Sequence, residues 1–460
     1  MNDAAQSLTD VSFQMPSLHE VIKVLTLQAG YNSALVIGGT TMLGLAAGIV
    51  GTFTLLRKRA LMSDALAHCS LPGLVLAFIF SFFLNLNEKN IYVLLLGASL
   101  SGIIGVYLID QLVRHTRVKE DAAIGVVLSV FFGAGISLLS IVQSLNTGRA
   151  GGINHFIYGQ TAAMNQHDAV LTLIVTLLTL VAAILLLKEF RLVCFDSEFA
   201  TVQGWNVQRI DLIMMLLVIV TTMIGLQAVG IILIIALIVI PPTAARFWSE
   251  KFDRITIISG SFGALSCYFG ATLSTLFPRM PAGSVIVLTA GLFFVISFLF
   301  APERGVFATS MRFLHLRTRI SIDHFLRSIF EQIELKFGAK EDSYELSKTE
   351  VNSAAPKQFF LRKLVFILLA KNKFLTKNNN DYILTVKGFK RAYELTRNHR
   401  LWEEYLTQYG DIATSHVDYS ADMVEHVLSH EIVKQIEDSL RAKGKIPRAL
   451  PQSLHPLRET

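Results

Sequence analysis

Asp64 and His68 stand four residues apart in RKRALMSDALAHCSLPG, residues 57–73, where Arg57, Lys58 and Arg59 close one long apolar segment and Leu61 and Met62 open another. On a helix that spacing sets a carboxylate and an imidazole on one face, within reach of a shared ligand. With Arg59 at a membrane surface, a rise of about 1.5 Å per residue carries His68 roughly 13 Å deeper, near the middle of a hydrocarbon core about 30 Å thick. An ionisable pair at that depth is costly and usually marks a substrate or ion path. The competing reading is a carboxylate and an imidazole hydrogen-bonded to each other between packed helices. Spacing alone does not choose between the two. Cys69 is adjacent in the chain but faces elsewhere on a helix, so it is not counted as a ligand.

Other groups could also carry chemistry. His399 and Glu403 lie at i, i+4, and Asp422, Glu425 and His426 at i, i+3, i+4. Each set shares a helix face, and two helices could bring mixed nitrogen and oxygen ligands to one metal. Helical carboxylates at such spacing are more often simply solvated. His155, His167 and Asp168 in the connection 146–168 are ligand types too, although exposed polar residues are the norm in such a loop. In the connection after the fifth apolar segment, Glu198, Phe199 and Ala200 precede Gly204 and Trp205. A short helix closed by a glycine turn could dock in a partner's groove, but the bare pattern is common by chance. No G-x-x-x-x-G-K-[ST] phosphate-binding loop occurs, so the chain is not expected to act as an enzyme on ATP, and any such energy must come from a separate subunit.

The elements that must hold these residues follow from hydropathy. Of 460 residues, 52% are hydrophobic and only 17% charged, with a mean hydropathy of +0.51. Apolar runs of about 20 residues recur as far as Phe300, which excludes one soluble domain. Segments lie near 33–56, 61–84, 91–113, 121–145, 169–188, 210–227, 229–245, 255–277 and 284–301. Gln227, Ala228, Val229 and Gly230 run the sixth and seventh together, which leaves a count of eight or nine. The connections 57–59, 114–119, 188–209 and 246–254 hold three basic residues each, while the alternate ones hold only Lys89, Arg149 and Arg279. That bias places the basic connections in the cytoplasm and the amino terminus outside, and with nine spans it places the carboxy-terminal tail inside. Cys69, Cys194 and Cys267 are scattered, so no disulfide framework is expected, and the polar first 16 residues lack the basic start of a cleavable signal peptide. Glycines in the first segment (Gly38, Gly39, Gly44, Gly48, Gly51) and the fourth (Gly125, Gly133, Gly135) suit close helix packing. Pro241 and Pro242 are expected to break or cap the seventh.

After Phe300 the character changes: the first 301 residues carry 16 of the 41 Lys+Arg and residues 302–460 the other 25. Between Lys357 and Arg391, nine basic residues face one acid, Asp381; between His399 and Asp438, nine acids face Arg400 and Lys434. A basic patch therefore adjoins an acidic one. The basic half reads as a helix at 321–337, a short polar segment at 343–353, a helix at 356–371 opened by Pro356, a hairpin turning at Asn378–Asn380 and a helix after Gly388. This is the outline of a winged helix-turn-helix, in which Lys357, Arg362, Lys363 and Lys377 would face phosphates. The segment expected to form the helix before the recognition helix, 343–353, is short and polar, which weighs against DNA, and the alternative is a basic face lying against anionic lipid.

The membrane segments together resemble the permease subunit of bacterial metal-ion ABC importers of the zinc/manganese/iron family, over most of residues 30–301. The most specific stretches are LLRKRALMSDALAHCSLPG, KEDAAIGVVLSVFFGAGISLLS and LQAVGIILIIALIVIPPTAAR. The resemblance implies that Asp64 and His68 line the pathway and hold the ion in transit, and a hard oxygen beside a borderline nitrogen suits Mn, Fe or Zn. It implies that SEFATVQGW, with Glu198, Ala200 and Gly204, is the coupling helix that meets an ATP-binding cassette ATPase. It also implies delivery of the ion by an extracytoplasmic metal-binding protein and pairing with a second permease copy or a paralogue. In the tail, LTVKGFKRAYELTRNHRLWEEYL followed by DMVEHVLSHEI resembles the metal-dependent diphtheria-toxin-repressor family. By that resemblance His399, Asp422, Glu425 and His426 match metal ligands, Asp422 standing where the manganese-sensing branch has glutamate, and Glu403 matches an ancillary ligand of the iron-sensing branch. The first helix departs from the pattern, with Asp323 the only acid near the expected position and Leu326 where the second is expected. The combination resembles the permease–repressor fusions of chlamydia-like bacteria.

The expected fold is an all-α polytopic membrane domain of about nine transmembrane helices, amino terminus outside, followed by a cytoplasmic winged helix-turn-helix and a helical metal-binding and dimerisation domain. The expected boundaries are 1–30 extracytoplasmic, 31–301 permease, 302–320 linker, 321–397 winged helix, 398–442 metal-binding and dimerisation helices, and 443–460 a flexible tail. In the lipid bilayer of a bacterial inner membrane such a chain would import Mn2+ or Fe2+, Zn2+ being compatible, and its tail would bind the same ion as regulator. The tail would act as a metal-dependent repressor on operator DNA, tethered or released by proteolysis, or as a sensor that halts transport without touching DNA. An ion-coupled secondary transporter is the remaining alternative for the membrane domain.

Overall fold

The structure, a computed structural model of the chain, describes residues 16–83, 91–144, 166–277, 280–338, 343–378, 381–409 and 430–442. It divides into two compact units, Met1–Thr309 and Ser310–Thr460.

In the first unit a short helix α1 (Leu18–Leu25), started by a capping box between Ser17 and Glu20, precedes α2 (Tyr31–Leu56), α3 (Met62–Phe83), α4 (Ile91–His115) and α5 (Glu120–Ser144). Then come α6 (Gln166–Leu185), α7 (Leu187–Phe195), α8 (Ser197–Val202), α9 (Val207–Val229), α10 (Ile231–Ala245), α11 (Phe252–Leu276) and α12 (Ala282–Phe300). Among the described residues, eight helices are long and apolar enough to cross a bilayer: α2 to α6, α9, α11 and α12. The apolar α10 is shorter than these eight, its 15 residues rising about 22 Å. Each apolar segment of the sequence is thus a separate helix. The run between the sixth and seventh breaks at Gly230, whose φ of 87° ends α9 and lets α10 start at Ile231.

The proline pair does not end α10 as expected, since the helix runs through Pro241 and Pro242 to Ala245. Pro242 has no N–H to give the Ile238 carbonyl, and α2 comes close at that oxygen: a Cβ on Gly51 would lie 2.0 Å from it. A Cβ on Gly44 would likewise lie 2.4 Å from the Gly263 carbonyl oxygen of α11. Ser259 Oγ donates to the Gly48 carbonyl at 2.6 Å along the same seam. Close backbone approach, which small residues permit in lipid, accounts for Gly44, Gly48 and Gly51. Gly38, Gly125 and Gly133 face open space instead.

The second unit comprises most of α13 (Val306–Phe337), then β1 (Tyr344–Leu346), α14 (Lys348–Ala354), α15 (Phe359–Lys371), β2 (Leu375–Asn378), β3 (Asp381–Leu384), α16 (Val386–Tyr409) and α17 (His430–Ala442). The strands form an antiparallel sheet in the order β1-β3-β2, Tyr344 and Leu375 both opposite Leu384. This is a winged helix-turn-helix arrangement. Residues 306–320, expected as linker, are helical, being the first half of α13. The polar segment 343–353 becomes a strand and a short helix, because Ser347 and Glu350 close a capping box that starts α14. Pro356 stays outside α15, and α16 starts two residues before Gly388, with Thr385 Oγ1 accepting from the Gly388 N–H. Phe325, Ile329 and Phe330 of α13 pack with Val365, Leu369, Leu384 and Phe389 as the core. Leu401 of α16 packs with Val433, Ile436 and Leu440 of α17.

Candidate functional site

From Met62 to Val75 every residue of α3 is buried except Asp64 and His68. The two therefore occupy the open stripe of a helix whose other faces are packed, a stripe continued by exposed Leu76, Phe80 and Phe83. His68 Nε2 lies 3.4 Å from Asp64 Oδ1, with the side chains 24% and 38% exposed respectively. Phe132 of α5 stands edge-on to the imidazole, ring centroids 4.9 Å apart. His68 Nδ1 is buried with no hydrogen-bond partner among the described residues. The pair is shallower than a continuous helix from Arg59 implies. Residues 57–61 form a turn, with Lys58 at a φ of 60°, so His68 lies about 9 Å along the axis from the start of α3 at Met62.

The basic cluster before α3 clamps that turn. Arg57 reaches Asp211 Oδ2 at 2.8 Å and donates to the Val193 carbonyl at 3.1 Å. Arg59 reaches Glu120 at 2.6 Å and Asp211 at 3.3 Å. These contacts join the base of α3 to α5, α7 and α9. Beside them opens a cavity of about 930 Å³, lined among others by Arg59, Glu120, Trp205 and Asp211.

Trp205 belongs to the next feature. In α8, Asp196 caps the helix by accepting from the Phe199 N–H at 2.8 Å. The end is a Schellman turn: the Trp205 N–H bonds the Ala200 carbonyl and the Gly204 N–H the Thr201 carbonyl, with Gly204 at a φ of 86°. Ala200 is buried, while Glu198 and Gly204 are exposed. Sequence reasoning passed over the side chains that α8 presents outward, Phe199 and Val202, the latter 85% exposed.

His167 and Asp168 lie in the first turn of α6, not in a loop. His167 Nε2 is 3.4 Å from the Tyr92 hydroxyl, and Asp168 Oδ1 accepts from Gln227 at 3.2 Å. His155 falls outside the described residues.

In the second unit His399 and Glu403 of α16 are fully buried, Nε2 to Oε1 3.4 Å. Arg327 of α13 meets His399, its Nη1 2.7 Å from Nδ1 and 3.3 Å from Nε2, and its Nε lies 3.8 Å from Glu331. Asp323 lies 3.7 Å from Arg391, and Leu326 is fully buried in the apolar core. Asp422, Glu425 and His426 lie outside the described residues. Among the described residues no three His, Cys, Asp or Glu side chains come together as a metal site. Of the basic candidates, Lys357, Lys363 and Lys377 are exposed. Arg362 is engaged with Asn352 and stands 5.9 Å over the Phe366 ring. Phe359 and Phe360, at the start of α15, are exposed, 83% and 67% respectively. Arg327 carries no spacing signal in the sequence, being one of four arginines on α13; only the fold brings it to His399.

Residues 32–301 match the ABC 3 transport family. The chain belongs to that family. Residues 385–452 match the iron dependent repressor metal binding and dimerisation domain. The manganese transport system membrane protein MntC of Bacillus subtilis is 34% identical over 420 residues, 90% of this chain and 93% of that one. That length exceeds the whole first unit, so the likeness takes in the tail. The zinc transport system membrane protein TroC of Treponema pallidum is 36% identical over 299 residues, 65% of this chain and 97% of that one. A Chlamydia trachomatis protein described as a "probable metal transport system membrane protein" is 29% identical over 411 residues, 85% of this chain and 89% of that one, and again the match extends into the tail. Among solved structures, PsaBC from Streptococcus pneumoniae in complex with Fab superposes with a TM-score of 0.54 at 29% identity, over 65% of this chain and all of that one. This ABC 3 family member is therefore a multi-span permease carrying a repressor-type domain.

Proposed function

We propose that this permease imports a divalent transition-metal ion, Mn2+ or Fe2+ with Zn2+ compatible, across a bacterial inner membrane, and that its cytoplasmic tail responds to the same ion. The observation that carries the reading is the exposure pattern of α3, in which the two chemically useful side chains are the two left accessible. One chain offers a single carboxylate and a single imidazole. A second copy, or a paralogue, laid on this face would add another pair and so enclose one ion between two oxygens and two nitrogens, a mixed set suited to these metals. It would also take an ionisable pair away from lipid, where its cost is high. The neighbouring surface of α5 supports such a contact: Gly125 and Gly133 face open space, and Ser129 and Ser137 return their hydroxyls to those glycines' carbonyls, leaving a small and satisfied surface.

The charge bias of the connections sets the amino terminus outside and α8 inside, where its exposed Phe199 and Val202 would enter a groove of an ATP-binding cassette ATPase. That subunit supplies the energy, and an extracytoplasmic metal-binding protein delivers the ion. ATP-dependent metal uptake by Asp64→Ala and His68→Ala tests the proposal. Each is expected to abolish uptake while still co-purifying with the ATPase, and normal transport by either would refute the pathway. Uptake that persists without the ATPase would favour ion-coupled secondary transport.

For the tail, the winged fold and exposed Lys357, Lys363 and Lys377 support a second reading as an operator-binding repressor. Metal-dependent operator binding by the full chain would establish it. Metal-regulated uptake with no DNA affinity would leave a sensor that acts on transport alone.

A further inference from the structure

We propose that Arg327 is a built-in competitor for the divalent ion at His399 and Glu403, so that metal reaches the tail only by displacing a guanidinium. The proposal rests on the reading of the tail as metal-responsive. A histidine ligand must offer a lone pair, and a neutral imidazole has one acceptor nitrogen. Arg327 Nη1 lies 2.7 Å from His399 Nδ1, and a guanidinium only donates. The same Nη1 lies 3.3 Å from Nε2, which also faces Glu403 Oε1 at 3.4 Å, so whichever ring nitrogen holds the lone pair faces the guanidinium. The lone pair that a metal would use is already committed to a cation.

That cation is permanent, because a guanidinium does not lose its proton in a protein. It sits where His399 and Glu403 are fully buried, so its repulsion of an incoming divalent ion is weakly screened. The donor types fit a metal, but α13 contributes a positive charge where the resemblance implies acids. Of the two positions concerned, Asp323 lies 3.7 Å from Arg391 and Leu326 is buried in the core. Glu331, one turn on from Arg327 and 3.8 Å from its Nε, is placed to receive the guanidinium once an ion takes its position. The tail would then respond only at high metal, as a site with an internal competitor must.

Equilibrium Mn2+ binding to the purified full chain tests this, in a background of Asp64→Ala and His68→Ala so that the pathway pair contributes nothing. Adding Arg327→Leu or, should that variant fold poorly, Arg327→Gln is expected to lower the half-saturating Mn2+ concentration by tenfold or more. Arg327→Lys, which keeps the charge, is expected to stay near the parent, and His399→Ala is expected to erase the gain. Binding that His399→Ala abolishes but that neither neutral variant tightens would overturn the competition and leave the metal-responsive reading standing. No tail-bound Mn2+ in the parent or in either folded neutral variant would overturn both.

Discussion

His68 has one nitrogen toward Asp64 and the other buried without a partner among the described residues. An unsatisfied buried polar group costs about 1–3 kcal/mol, a cost that makes sense where a ligand is to be held. The pair was legible from the sequence because two ionisable residues at i, i+4 stand out in an otherwise apolar helix. Arg327 and Arg57 were not legible, since their partners lie far away in the chain. Glu350 shows residue-scale electrostatics of another kind. Burial pushes its carboxyl up, but the Lys336 ammonium and the Ser347 cap outweigh this and hold it below the ordinary carboxylate range. A depressed folded pKa gives stability that is complete above the unfolded pKa and lost as pH falls through the folded one. Protection of α14 against hydrogen exchange is therefore expected to fall on acidification below the ordinary carboxylate range. Glu350→Gln is expected to start lower and to lose that dependence.

Among the elements, α8 and the α2–α11 seam make separable demands on glycine. Gly204 ends α8 with positive φ, where a Cβ costs roughly 1–2 kcal/mol. Gly204→Ala is expected to weaken ATPase co-purification while leaving the membrane unit folded, and unchanged association would remove α8 as the docking element. At Gly44 the obstacle is contact, since a Cβ would lie 2.4 Å from a backbone carbonyl oxygen. Gly44→Val is expected to destabilise the permease by at least the roughly 1–3 kcal/mol of overpacking, whereas Gly38→Ala, facing open space, should change the thermal midpoint little. The helices themselves were legible in hydropathy. The passage of α10 through two prolines was not, because packing against α2 decides it; the short polar segment 343–353, expected as the helix before the recognition helix, holds α14, started by its capping box.

At the scale of the molecule, the change in charge near Phe300 reveals a two-part chain and the spacing of apolar runs its helices. The glycines of α5 were legible as small residues, but only the fold separates Gly135, which packs against Leu71 and Pro72, from Gly125 and Gly133, which face open space where a second copy could lie. The decisive measurement is the Mn2+ retained by the purified permease carrying His399→Ala, counted per chain, with and without Asp64→Ala. The expected result is one ion for every two chains in the first case and none in the second. Equal retention in both would contradict the assignment of the ion to Asp64 and His68.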